Sequence, residues 1–100
     1  MYDGTMKKIE TIEELVPGCV IRRVNEDGSV APFSDSIVLG HANTYGHFKL
    51  ARPYGYATLT ETICQSHVLG AETYVAEFSA LQEYYMIVLY STGKPVVMKT

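Results

Sequence analysis

Polar and apolar side chains alternate through "HFKLARPY", placing Phe48, Leu50 and Arg52 on one face of a strand and His47, Lys49 and Ala51 on the other. The strand pattern also covers "CVIRRVN" and "SDSIVLGHAN", and the segments between them carry turn chemistry. "NEDGS" offers Asp27 and Gly28, residue types that accept left-handed backbone angles, and "NTYG" closes a second hairpin. Farther on, "AETYVAEFSAL" alternates Thr73, Val75 and Glu77 against Tyr74, Ala76 and Phe78, and "EYYMIVLY-STGK-PVVMK" reads as another hairpin. The apolar spacing of "AETYVAEFSALQEYY" also permits a helix.

Before the first strand the period changes. Ile9, Ile12, Leu15 and Val16 share the face of one helical turn, with Thr11 and Glu14 at capping-box spacing and Pro17-Gly18 ending it. Thr58 and Glu61 form a second candidate box within "TLTETICQ", whose threonine-rich alternation also reads as a strand; residues 54–67 are assigned to a loop with a short helical turn. Short strands with regular turns, and no helices between them to carry parallel crossovers, predict a mainly β fold. The expected form is a small antiparallel barrel or sandwich, SH3-like, with six strands and one or two short helical turns. Pro53 is expected to withdraw a ladder donor and bend the chain away.

At 100 residues, 47% hydrophobic and 19% charged, the chain has the size and composition of one folded domain spanning 1–100. Met6 followed by two lysines would serve equally well as a start, so residues 1–5 read as a start-site extension. A formal net charge of −3 is the wrong sign for replacing counterions along a duplex, which argues against duplex nucleic acid as a partner. No signal-peptide pattern is present, and the longest apolar run, Tyr84 to Tyr90, is too short to span a bilayer. The expectation is a cytoplasmic protein with no membrane partner and with Cys19 and Cys64 as reduced thiols.

"LVPGCVIRRV" resembles the approach to the first strand of SH3-like barrels, in which a Pro-Gly turn leads into an apolar strand. Together, "PGCVIRR", "APFSDSIVLG", "KLARPY" and "STGKP" resemble small phage-encoded β proteins. That resemblance implies expression inside a bacterium and a role against or alongside host machinery, and it identifies no catalytic residue.

Several constellations invite chemistry and have plainer explanations. His41 and His47, with Cys64 and His67, supply ligand types suited to zinc, but the two pairs lie in separate segments, and ordinary histidines and apolar cysteines account for them. Ser34, Asp35, Ser36 and His41 contain hydrolase parts without a nucleophile elbow, so "PFSDS" reads as a bend. "STGK" lacks the glycine a phosphate loop needs at position 88, where Val88 stands. Glu13 with Glu14, and Asp3, Glu26 and Asp27, lie in turns or at a helix start, which assigns them to solubility and capping. No catalytic residue, metal or cofactor is therefore expected. Tyr84 and Tyr85, if in a strand, face opposite ways, with Tyr90 on the side of Tyr84, so that one aromatic face lies outside the core.

The corner "KLARPYGYA" is the favoured binding site, because an arginine fork and two aromatic faces meet where a strand runs into the longest irregular segment. The leading expectation is a non-enzymatic binding protein. It would hold a small anionic, nucleotide-like ligand through Arg52, Tyr54 and Tyr56, with Arg22 or Arg23 from the neighbouring strand. In the structural alternative, Arg52 caps a carbonyl or pairs with an acid while the tyrosines close one end of the barrel. From another class comes a protein-interaction module or inhibitor, acting through a sheet edge or the tyrosine-rich face and compatible with a homodimer. A small hydrolase or zinc protein is the third reading.

Overall fold

The computed structural model describes residues 6–31, 34–53, 71–89 and 93–97. They form six strands, β1 (Met6–Lys8), β2 (Val20–Arg23), β3 (Ser36–His41), β4 (His47–Pro53), β5 (Ala71–Glu77) and β6 (Tyr85–Val88). One 3-10 turn, Ile12–Glu14, follows β1, and one helix, α1 (Phe78–Tyr84), joins β5 to β6. The strands make a single sheet in the order β1-β6-β2-β3-β4-β5, every neighbouring pair antiparallel. The mainly β class and the antiparallel pairing are as expected. The sheet is open rather than a closed barrel: among the described residues β1 pairs only with β6 and β5 only with β4.

Register assigns the two faces. Ile21 lies opposite Ile87 on one side and Ser36 on the other, while Val38, Leu50 and Tyr74 form a row one step farther along. These positions belong to one face, and Ile21, Val38, Phe48, Leu50 and Ile87 join Ile9, Leu15 and Leu81 in the main core. The other face carries Val20, Ile37 and Val88, which are also buried. The sheet centre is thus covered on both sides, and burial of each such aliphatic side chain stabilises by about 1.5–3 kcal/mol.

Turn chemistry falls where the residue types required it. Gly28 closes the Asn25–Ser29 turn at φ 88°, its amide donating to Asn25 O at 2.9 Å, and Asp27 accepts hydrogen bonds from the amide and hydroxyl of Ser29 at 2.9 and 2.6 Å. Gly46 reverses the β3–β4 hairpin at φ 84°. Between Val38 and Gly40 the β3–β4 register slips by a bulge. β4 continues through Arg52 to Pro53, a buried residue paired in register with Ala71; the bend expected after the proline lies outside the described residues.

The largest departure lies in "AETYVAEFSAL", expected as one strand. Strand β5 ends at Glu77 and a helix begins at Phe78, whose amide donates to the carbonyl of Gly46 at 2.8 Å. Phe78, Leu81 and Tyr85 recur at i, i+3 and i+7, so the helical spacing latent in the sequence wins once the hairpin turn supplies an acceptor for the first amide. At the C-terminal end, the expected strand "PVVMK" contributes a short wedge instead. Val20 N–H donates to Val96 O at 3.0 Å and Val96 N–H to Val88 O at 2.9 Å, so this segment sits between β2 and β6 where they diverge. The strand not anticipated is β1, from "MKK".

The first turn is held by Glu14, which accepts from the amides of Glu10 and Thr11 at 2.8 and 2.9 Å and from the Lys7 ammonium on β1. The Lys7 hydrogen bond, opposed by burial and helped by the two amides, holds the Glu14 carboxyl down to about 2 from its ordinary 4.5. A carboxyl more acidic in the folded chain contributes stability above its unfolded value and loses it as pH falls through the folded one. Denaturant-unfolding stability should therefore decline between pH 4.5 and about 2. Glu14→Gln should shallow that slope relative to wild type; parallel slopes would show that the Lys7–Glu14 contact does not couple to folding.

Candidate functional site

Of the residues expected to bind ligand, Arg22, Arg23 and Arg52 are described, while Tyr54 and Tyr56 lie outside the described residues, as do Thr58, Cys64 and His67. The expectation that Arg22 or Arg23 neighbours Arg52 meets a topological obstacle. Strand β3 lies between β2 and β4, which sets the two strands roughly 10 Å apart.

Arg22 is a structural residue. It pairs in register with Met86, on the face opposite Ile21, and its side chain is 12% exposed. There it makes a two-pronged contact with Asp35, Nε to Oδ1 at 2.7 Å and Nη2 to Oδ2 at 2.8 Å, and the Asp35 side chain is only 3% exposed. A planar guanidinium meeting both oxygens of a carboxylate is the geometry by which two opposite charges are tolerated in an interior. Arg22 therefore leaves the list of ligand-binding residues.

Arg23 and Arg52 are exposed, and both project from the core-bearing face at the same end of the sheet, since Arg23 opposes Tyr85 and Arg52 opposes Glu72. Each guanidinium lies over a tyrosine ring, Arg23 at 5.6 Å from Tyr84 and Arg52 at 5.4 Å from Tyr74. Arg52 thus covers a ring instead of capping a carbonyl. Tyr74 in turn shares a 2.7 Å hydrogen bond with the fully buried Ser36 hydroxyl, and burial, against the Ser36 hydrogen bond, pushes its phenol up to about 12.

A cleft of about 610 Å³ opens at this end of the sheet. The apolar part of its lining, termed the floor, comes from Ile9, Val24 and Met86, all buried. One wall is the α1–β6 junction with Tyr84 and Tyr85, beside Arg23; Asn25 and Gln82 add amides, and Gln82 Nε2 reaches the Glu10 carbonyl at 3.4 Å. At the rim stand Lys8, Glu10, Glu26 and Glu83. Of the expected site residues that are described, Arg23 alone lines this cleft; Arg22 and Arg52 do not. The tyrosine pair was visible in the sequence, but Tyr84 ends a helix and Tyr85 begins a strand, so they line a corner instead of facing opposite ways along one strand.

The hydrolase parts are each committed elsewhere. Ser34 donates to Ala31 O at 2.6 Å and accepts from the Arg23 amide, Asp35 is held by Arg22, Ser36 is bonded to Tyr74, and His41 lies on Phe48 with ring centroids 4.7 Å apart. Among the described residues no group of three histidines, cysteines or carboxylates is arranged to hold a metal ion. Burial, with a smaller push from Glu14, raises the Cys19 thiol to about 12, which leaves it protonated and unreactive at neutral pH.

Removing one partner of the interior ion pair strands the other. Asp35→Ala should destabilise the fold by about 3–5 kcal/mol in denaturant titrations, and the double change Arg22→Met with Asp35→Leu should recover most of that loss. If the single variant costs less than about 1 kcal/mol, the pair is solvated rather than interior. No protein-family model, curated protein or solved structure matches the chain.

Proposed function

We propose that the protein is a non-enzymatic binding protein for a small organic molecule with an anionic group. The ligand seats in the cleft, its anion on Arg23 and its apolar or aromatic body against Tyr85 and the floor of Ile9, Val24 and Met86. One observation carries this reading: an exposed arginine, without an acid partner among the described residues, stands on a tyrosine beside a cleft with an apolar floor. A volume of about 610 Å³ falls within the range of small-molecule sites. Stacking on Tyr84 limits the rotamers of Arg23, so less freedom is lost when its fork closes on an anion. A mononucleotide and an aromatic carboxylate both have the required parts.

A protein-interaction module is the second reading, favoured by exposed side chains away from the cleft. Tyr45 at the tip of the β3–β4 hairpin is 81% exposed and Val75 in the middle of edge strand β5 is 57% exposed. Native mass spectrometry distinguishes the two readings through retained ligand or a dimeric mass.

Isothermal titration should find micromolar binding for at least one probe among mono-, di- and cyclic nucleotides and aromatic carboxylates. A charge-assisted hydrogen bond contributes about 1.5–3 kcal/mol, so Arg23→Ala should weaken that probe roughly ten- to a hundredfold, with Arg23→Lys intermediate. Arg52→Ala should leave the affinity unchanged. Binding that follows Arg52 and ignores Arg23 would return the site to the β4 corner, and a wild type that binds nothing would leave the interaction module.

A further inference from the structure

The charges around the cleft come from five places in the chain and have both signs. Lys8 ends β1 and Arg23 ends β2; Glu10 lies in the link to the 3-10 turn, Glu26 in the β2–β3 turn and Glu83 on α1. Two cations and three carboxylates therefore line one cleft. The carboxylates are largely uncompensated: Glu10 makes a single 3.6 Å contact with Lys7, which is already bonded to Glu14, and among the described residues neither Glu26 nor Glu83 takes part in an ion pair. A multiply charged phosphate compound placed on Arg23 would sit among these three acids, and the charge it gained from the cations would be opposed by the acids. A ligand with one charge of each sign meets no such opposition.

We infer that the cleft selects an amphoteric ligand, one carboxylate and one ammonium on an aromatic or aliphatic body, the chemistry of an amino acid or a short peptide. The inference rests on the binding reading above and narrows its substrate class. The carboxylate pairs with Arg23, the ammonium is held by Glu26 and Glu83, and the side chain lies on the apolar lining beside Tyr85. Backbone-like donors and acceptors of a peptide would also find the amides of Asn25 and Gln82 at the wall. A free amino acid and a short peptide share this chemistry, and titration of phenylalanine beside a glycyl-phenylalanine dipeptide distinguishes the two sources.

The test is isothermal titration of the full chain with phenylalanine, the dipeptide, 3-phenylpropionate, which lacks the ammonium, and phenethylamine, which lacks the carboxylate. At least one of the two amphoteric probes should bind about fivefold or more tighter than either single-charge probe, the size expected for an exposed charge pair. Glu26→Gln combined with Glu83→Gln should erase that advantage over phenylpropionate without weakening phenylpropionate itself; melting curves check that the exposed substitutions leave the fold intact. Phenylpropionate binding as tightly as both amphoteric probes would overturn the amphoteric selection and leave the anion site standing. No binding by any of the four probes, with a nucleotide bound instead, would also overturn it and leave the anion site, whereas no binding by any probe or nucleotide would overturn both.

Discussion

The centre of the sheet is buried on both faces, and most of the molecule follows from that constraint. Ile21 and Ile87 face one side while Val20 and Val88 face the other, and each is 5% exposed or less. A hundred-residue chain has little material for covers, and the pieces that pack on the main core are short. One side receives the 3-10 turn with Leu15 and the helix with Leu81. Near the far end of β6 the segment around Val96 enters between diverging strands and satisfies backbone groups of Val20 and Val88 that would otherwise be unpaired in an interior.

Double burial also decides which polar side chains are tolerated. Ser34, Asp35 and Ser36 are the buried polar residues among those described, and each has a partner: a carbonyl, a guanidinium and a phenol. The run that suggests hydrolytic parts in one dimension is the stretch entering β3, which threads polar groups into a dry region, and its hydrogen bonds keep it there. The same dryness pushes the Cys19 thiol and the Tyr74 phenol up to about 12, which keeps both protonated near neutral pH.

Charge is consequently moved to the strand ends. Arg23, Lys8 and the three glutamates of the cleft lie where β1 and β2 finish and β6 begins, beyond the last fully covered row. There the apolar floor of the sheet meets water, and a ligand can bury its body without requiring the protein to bury a charge of its own. The arginine–tyrosine contacts serve the same end, since the ring face holds a guanidinium in place while leaving its N–H groups available.

The sequence by itself determined the class, the turns and most of the strands, because those depend on neighbours. The two-residue alternation in "HFKLARP", the glycines at 28 and 46 and the Thr11–Glu14 spacing each act over a few residues, and each is realised where the local pattern placed it. Tertiary structure alone decided the rest. Alternation states that Arg22 and Arg23 point to opposite faces, but which of them meets a buried partner depends on segments supplied from elsewhere in the chain, so the arginine that pairs with Asp35 and the one beside a cleft were indistinguishable beforehand. The segment after Glu77 had strand and helix patterns superposed, and an acceptor at Gly46, more than thirty residues earlier, tipped it. Lys8, Arg23 and Glu83 come to one cleft through a sheet order and a helix position that no local period encodes, and for that reason a site built at strand ends was legible only once the sheet order was known.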